Sequence, residues 1–157
     1  MTVAAWILFF IFLYYVFDYS ILQRTNPNQN VTTVTYGDTR EVVLQRNRYG
    51  HYVATGSINY QPVTFLLDTG ASDVALAEDL ADRLGLEKAH PILVKTANGN
   101  VRAYRTRLES VAVGDIRLYD IKATILTNMH GDEVLLGMSF LKNFELIQKG
   151  KTLTIRQ

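Results

Sequence analysis

The chain has 157 residues, which is enough for one compact domain and an appended segment. Its 16 basic and 15 acidic residues nearly balance, and no dense run of Lys or Arg occurs, so the composition argues against a nucleic-acid partner. The absence of cysteine excludes disulfides, thiol nucleophiles and thiolate metal sites.

The N-terminal segment is strongly apolar. Residues 3–17 form an uninterrupted apolar run, and Asp18 separates them from a shorter apolar stretch. A bilayer span takes about 20 residues, a length that this segment reaches only if Asp18 lies at the level of the lipid headgroups. We predict a single transmembrane helix that makes residues 1–22 a membrane anchor. A cleaved or an interfacial hydrophobic segment is the alternative that the residues leave open.

A polar linker is predicted over residues 23–35, before a globular domain over residues 36–157. Residues 23–30 are polar, contain Pro27 and show no hydrophobic periodicity. The length and expected exposure of this region also suggest the hypothesis of self-cleavage between residues 23 and 40.

The globular part has the pattern of a mostly β domain with one or two short helices. Helical spacing over residues 78–84, with Gly85 as a C-terminal cap, predicts one helix, and residues 138–142 predict a single helical turn. Asn98-Gly99 is a strong hairpin signal between two strand-like runs. The predicted strands are residues 41–45, 51–58, 63–67, 91–96, 101–113, 116–126, 144–148 and 152–156.

The run Leu-Leu-Asp-Thr-Gly-Ala-Ser at residues 66–72 indicates the chemistry. It predicts the end of a buried strand followed by a sharp turn that leaves the Asp68 carboxylate at the base of a cleft. Peptide hydrolysis without a metal needs an activated water and a polarised carbonyl, which two carboxylates sharing one proton supply. The chain has one Asp in this setting, so the second must come from a second copy, with Asp68 facing Asp68′ across a two-fold axis.

The sequence resembles the retropepsins, which are single-lobed aspartic proteases that work as homodimers. The similarity is greatest to the bacterial membrane-anchored branch and covers nearly the whole chain after the linker. It rests on a series of short motifs in the same order, at residues 50–52, 58–59, 66–72, 83–86, 96–99 and 135–141. It implies a retropepsin-like closed β-barrel after the transmembrane helix, and an endopeptidase held in the bacterial inner membrane with its catalytic domain in the periplasm.

The resemblance also implies roles for individual residues. Asp68 would be the catalytic carboxylate, with Thr69 bracing the two active-site turns across the dimer. Gly70 would let the backbone pass close to the shared proton, and Ser72 would hold the outer oxygen of Asp68.

The hairpin around Asn98-Gly99 resembles the flap that closes over substrate, with Ala97, Asn98 and Gly99 at its tip. This polar tip differs from the longer glycine-rich tip of viral members, so substrate preference cannot be carried over from them. Tyr104 on the returning strand is a further candidate for the cleft. The strand at residues 152–156 would contribute to dimer contacts, as terminal strands do in the family.

Two alternatives stay open at this point. The same fold could serve as a non-catalytic peptide-binding or scaffolding module at the membrane. The basic residues Arg102, Arg105 and Arg107 near the flap would favour acidic substrates or would simply solvate an exposed strand. No cofactor or metal is expected, because the three histidines lack metal-ligand spacing: His51, His90 and His130.

Overall fold

Strands dominate the part of the chain that follows the N-terminal helix. The structure, a computed structural model, describes residues 2–96 and 99–157. Its helices are α1 (Thr2–Thr25), α2 (Glu78–Arg83) and α3 (Met138–Leu141). Its strands are β1 (Thr33–Tyr36), β2 (Thr39–Gln45), β3 (Val53–Ile58), β4 (Gln61–Leu67), β5 (Val74–Ala77), β6 (Pro91–Thr96), β7 (Gly99–Val113), β8 (Ile116–Leu126), β9 (Glu133–Leu136), β10 (Glu145–Lys149) and β11 (Thr152–Arg156). The mostly β class and the two short helices are therefore confirmed.

The strands form two sheets, and the predicted closed β-barrel is wrong. An antiparallel sheet has the order β1-β2-β11-β10, and a mixed sheet has the order β3-β4-β9-β5-β8-β7-β6. One extra pairing joins β3 to β7 through only two residue pairs. The smaller sheet is a separate layer because apolar side chains at alternate positions, among them Val42, Leu44 and Ile155, bury one of its faces in the common core.

The predicted transmembrane anchor is also wrong. Helix α1 has 24 residues, but among residues 2–96 and 99–157 no helix is both long enough and apolar enough to cross a bilayer. The uninterrupted apolar run ends before Asp18, short of the roughly 20 residues that a span takes. The predicted inner-membrane and periplasmic localisation depended on this anchor and is wrong with it.

The segment between α1 and β1 bonds closely to both sheets. Asn28 is buried, and its side-chain amide donates hydrogen bonds to the carbonyls of Gln45 in β2 (2.9 Å) and Val53 in β3 (2.7 Å). Its side-chain oxygen accepts the Gln45 N–H at 2.7 Å. Asn26, also buried, donates to the Thr55 hydroxyl at 3.0 Å. The division into a linker and a domain that begins at residue 36 stays a prediction.

Candidate active site

Asp68 lies where two parallel strands end. Strand β4 pairs in parallel with β9, with Leu67 opposite Leu136. The Asp68 N–H continues this pairing by donating to the Leu136 carbonyl at 3.2 Å. The C-terminal ends of both strands are apolar because the strands lie inside the mixed sheet, and the polar Asp68 follows where β4 ends. The strand pair therefore holds Asp68 in a defined place at the sheet edge.

A tight turn orients the Asp68 carboxylate. The Gly70 N–H donates to Asp68 Oδ1 at 2.8 Å, and the Ala71 N–H donates to the Asp68 carbonyl at 3.2 Å. An Asp side chain that accepts the N–H two residues later forms an Asx turn, which fixes the carboxylate relative to its own backbone. A Cβ atom at Gly70 would lie 3.1 Å from Asp68 Oδ1, so glycine leaves room for this contact. Asp68 is half-buried, and Thr69 and Gly70 are exposed.

The end of β9 and helix α3 hold the turn from behind. The Met138 N–H donates to the Ala71 carbonyl at 2.8 Å, and the Ser139 N–H donates to the Ser72 carbonyl at 2.9 Å. Gly137 permits this approach, since a Cβ atom there would collide with the Asp73 carbonyl and lie 2.7 Å from the Ala71 carbonyl. The Leu135-Leu136-Gly137 run thus packs directly behind the candidate catalytic turn.

Ser139 is a supporting residue that the sequence reasoning did not identify. Its hydroxyl accepts the Val74 N–H at 2.9 Å and donates to the Lys122 carbonyl at 2.9 Å. It therefore ties helix α3 both to the chain that leaves the Asp68 turn and to β8. The only hint in the sequence was a polar residue two positions after Gly137. Its hydrogen-bond partners, Val74 and Lys122, are distant in sequence and could not be inferred from it.

A cleft of about 940 Å³ opens above the Asp68 turn. Residues of the turn line its floor, and four consecutive residues of β6, 92–95, line the opposite wall. The remaining lining is apolar apart from Asp73, Arg105 and Thr124. The Thr124 hydroxyl lies 3.4 Å from Asp73 Oδ2, as donor to that carboxylate. A cleft of this volume lined by a β-strand suits an extended peptide, whose backbone can pair with that strand.

The candidate support residues have different positions relative to the cleft. Asp68, Gly70 and Ser72 line it, whereas Thr69 is exposed and is not among the residues of the described lining. Within the described chain, the Ser72 hydroxyl makes no hydrogen bond to Asp68. Gly99 begins β7 opposite Thr96, and Ala97 and Asn98 lie outside the described residues.

The other candidates on β7 differ from one another. Tyr104 packs against the hydrophobic core, and it is absent from the described lining of the cleft. Arg105 lines the cleft, Arg107 bonds to Asp120, and the Arg102 guanidinium lies 5.8 Å from the Tyr104 ring centroid. In the described part of the chain, no three His, Asp or Glu residues gather to hold a metal ion.

Comparison with known proteins identifies a family. A family model described as gag-polyprotein putative aspartyl protease matches residues 54–143. An uncharacterized protein in the cobV 5′ region of Sinorhizobium sp is 38% identical over 112 residues, which cover 69% of this chain and 48% of the relative. Uncharacterized protein RP867 of Rickettsia prowazekii (strain Madrid E) is 34% identical over 119 residues, covering 73% of this chain and 50% of the relative. The chain thus spans about half the length of the curated relatives it matches.

Solved structures agree with the family match. A retropepsin-like aspartic protease from Rickettsia conorii superposes with a TM-score of 0.61 and 30% identity, covering 81% of this chain and 94% of that one. The EIAV protease in complex with the inhibitor HBY-793 shares the fold, with a TM-score of 0.50 and 19% identity over 70% of this chain and 93% of that one. The chain therefore belongs to the gag-polyprotein aspartyl protease family, and its fold is that of the retropepsin-like aspartic proteases.

Proposed function

We propose that this protein is an aspartic endopeptidase that works as a symmetric homodimer, with one Asp68 from each subunit. The observation that carries the proposal is the position of Asp68. It lies on the floor of a peptide-sized cleft, with Oδ1 held at 2.8 Å by the Gly70 N–H. The general base of an aspartic endopeptidase must be held in a fixed orientation and be accessible to substrate. The Asp68 carboxylate meets both conditions.

The second subunit completes the chemistry. Two carboxylates in contact share one proton, because both cannot ionise so close together. The ionised carboxylate takes a proton from the attacking water, and the protonated one donates to the carbonyl oxygen of the scissile bond. Thr69 is exposed, and its hydroxyl would bond to the partner's turn across the two-fold axis.

The other candidate site residues would orient the Asp68 carboxylate or hold the bound peptide. Gly70 supplies the N–H that orients Asp68 and keeps the turn open. Ser72 lines the cleft next to that turn and would bond to the outer oxygen of Asp68 once substrate is bound. The hairpin tip of Ala97, Asn98 and Gly99 would close over the peptide as a flap, excluding water and adding backbone hydrogen bonds.

The test is the Asp68→Asn variant, digested in parallel with wild type against a proteome-derived peptide library. Loss of the general base and acid is expected to lower cleavage by about 10²–10⁴-fold, since that is the range such groups contribute. New peptide termini are read by mass spectrometry. Asp115→Asn is the matched control, because Asp115 is exposed and lies outside the cleft.

Equal cleavage by wild type and Asp68→Asn would contradict the proposal. Peptides that bind to a wild-type dimer but stay uncut would instead favour the peptide-binding module.

A further inference from the structure

A second cavity, of about 660 Å³, adjoins the Asp68 cleft. The two cavities share two lining residues, Asp73 and Arg105. The second cavity extends from these residues along β7 and β8 towards Asn59, away from the Asp68 turn. A peptide that leaves the cleft past Arg105 would therefore enter it.

The cavity arises from a gap in the mixed sheet. On one edge, β7 pairs with β6 as far as Tyr104, and Arg105 bonds to the chain at residues 89–90. Pairing on that edge resumes at Ser110, whose N–H donates to Asn59 Oδ1 at 3.1 Å. Among the described residues, 106–109 have no strand partner on this edge, and the segment after α2 borders the opening.

The segment that borders the opening is held in place. The Lys88 ammonium lies 2.8 Å from Asp82 and 2.9 Å from Glu78, both in α2. Hydrogen bonds to Asp82 and then to Glu78 raise the pKa of Lys88 to about 12. The Leu86 N–H also donates to the Ala81 carbonyl at 2.9 Å. The wall of the cavity is thus preformed.

Charged side chains of both signs line the cavity. Three cations line it, Arg105, Arg107 and Lys122, together with two acids, Asp73 and Glu87. Arg107 is already bonded to Asp120, outside the cavity lining. In the part of the chain that the structure describes, neither Arg105 nor Lys122 forms an ion pair with a carboxylate. Arg105 and Lys122 are thus the cations of the lining that form no salt bridge in the described chain, although Lys122 also interacts electrostatically with Asp120.

We propose that this second cavity is a substrate subsite for an acidic side chain, Asp or Glu, of the bound peptide. The inference rests on the proposed function, because it takes the Asp68 cleft to be the path of a peptide. Since an extended chain advances about 3.3 Å per residue, the acidic residue lies a few positions from the scissile bond. Arg105 contacts it from the shared wall, and Lys122 contacts it from within the cavity.

The experiment separates binding from cleavage. A random peptide library is selected on immobilised full-length Asp68→Asn protein, which retains the cleft without turnover, and the bound peptides are sequenced. Peptides with one Asp or Glu at a fixed position are expected to be enriched about fivefold over their Asn or Gln counterparts, as for a partly solvated ion pair. The preference disappears or reverses when Lys122→Glu is added, because Lys122 lines the second cavity but not the cleft.

Lys149→Glu, added to Asp68→Asn, is the matched control. Lys149 is exposed at the end of β10 and belongs to neither cavity, so the acidic preference should persist. Lys122→Gln serves as the milder variant if Lys122→Glu lowers the folded fraction seen by circular dichroism. Absence of any acidic preference, or its persistence in both Lys122 variants, overturns the subsite. Acidic selection on Asp68→Asn, together with no cleavage of the selected peptides by the wild-type protein, overturns the proposed proteolysis and leaves the subsite standing.

Discussion

Ser139 shows how one side chain supports the candidate catalytic turn. The Ser139→Ala variant removes the acceptor of the Val74 N–H and the donor to the Lys122 carbonyl. Because Val74 is fully buried, its N–H would lose its partner, and the free energy of unfolding is expected to fall by about 1–3 kcal/mol. Urea denaturation measures the change.

Ser72→Ala is the control for that prediction. In the described chain the Ser72 hydroxyl has no hydrogen-bond partner, so its removal should alter the free energy of unfolding by less than about 0.5 kcal/mol. Equal losses in the two variants would show that the Ser139 hydroxyl has no special structural role.

Gly137 lets the backbone of α3 approach the Asp68 turn. In Gly137→Ala the new methyl group collides with the Asp73 carbonyl, so we expect about 1–3 kcal/mol of destabilisation and a displaced turn. Gly56→Ala also creates a backbone collision, with the Ala112 carbonyl, but outside the cleft lining. At temperatures where both variants are folded, only Gly137→Ala should lower kcat. A similar loss of kcat in Gly56→Ala would contradict this explanation.

The sequence predicted the Asp68 turn itself better than the distant residues that hold the turn in place. Asp68, Gly70 and the turn between them could be read directly, since the Asx turn depends on residues two positions apart. The Ser139 contacts could not, because they join residues 65 and 17 positions apart. Nothing in a single sequence indicates which distant backbone groups a serine will meet.

At the scale of elements, Asn28 links the two sheets. Asn28→Ala would leave backbone groups of Gln45 and Val53 without their partner, and we expect the free energy of unfolding to fall by about 2–4 kcal/mol. Asn30→Ala is the control, because Asn30 is exposed and its substitution should be nearly neutral. Chemical denaturation of both variants tests the prediction, and equal midpoints would contradict it.

Long strands with clear turn signals were predictable, and short ones were not. The runs at residues 101–113 and 116–126 lie within β7 and β8 as expected. Strands β1, β5 and β9 were missed, since each has four residues and β5 is buried throughout, without the alternation that marks a half-buried strand. The closed barrel was wrong because sheet partners of β2 and β11 depend on long-range packing that local patterns do not encode.

At the scale of the whole molecule, dimerisation determines activity if the proposed function holds. Wild type and Asp68→Asn mixed in equal amounts and allowed to exchange subunits should retain about one quarter of the activity of the same total amount of wild type, because only wild-type homodimers carry two carboxylates. A monomeric enzyme would retain about half. Activity is followed on one cleaved peptide, and sedimentation confirms that exchange and dimer formation have occurred.

The parallel pairing of β4 with β9 has a consequence for when the protein becomes able to act. Synthesis proceeds at about 5–20 residues per second, so residue 68 is made several seconds before residues 133–139, whose backbone holds its turn. Until then the Asp68 carboxylate has its local Gly70 contact, and β4 can pair with β3, but β9 and the backbone of α3 that hold the turn are missing. A growing chain is therefore expected to stay inert on the ribosome, and a message truncated before residue 133 should yield a product without activity.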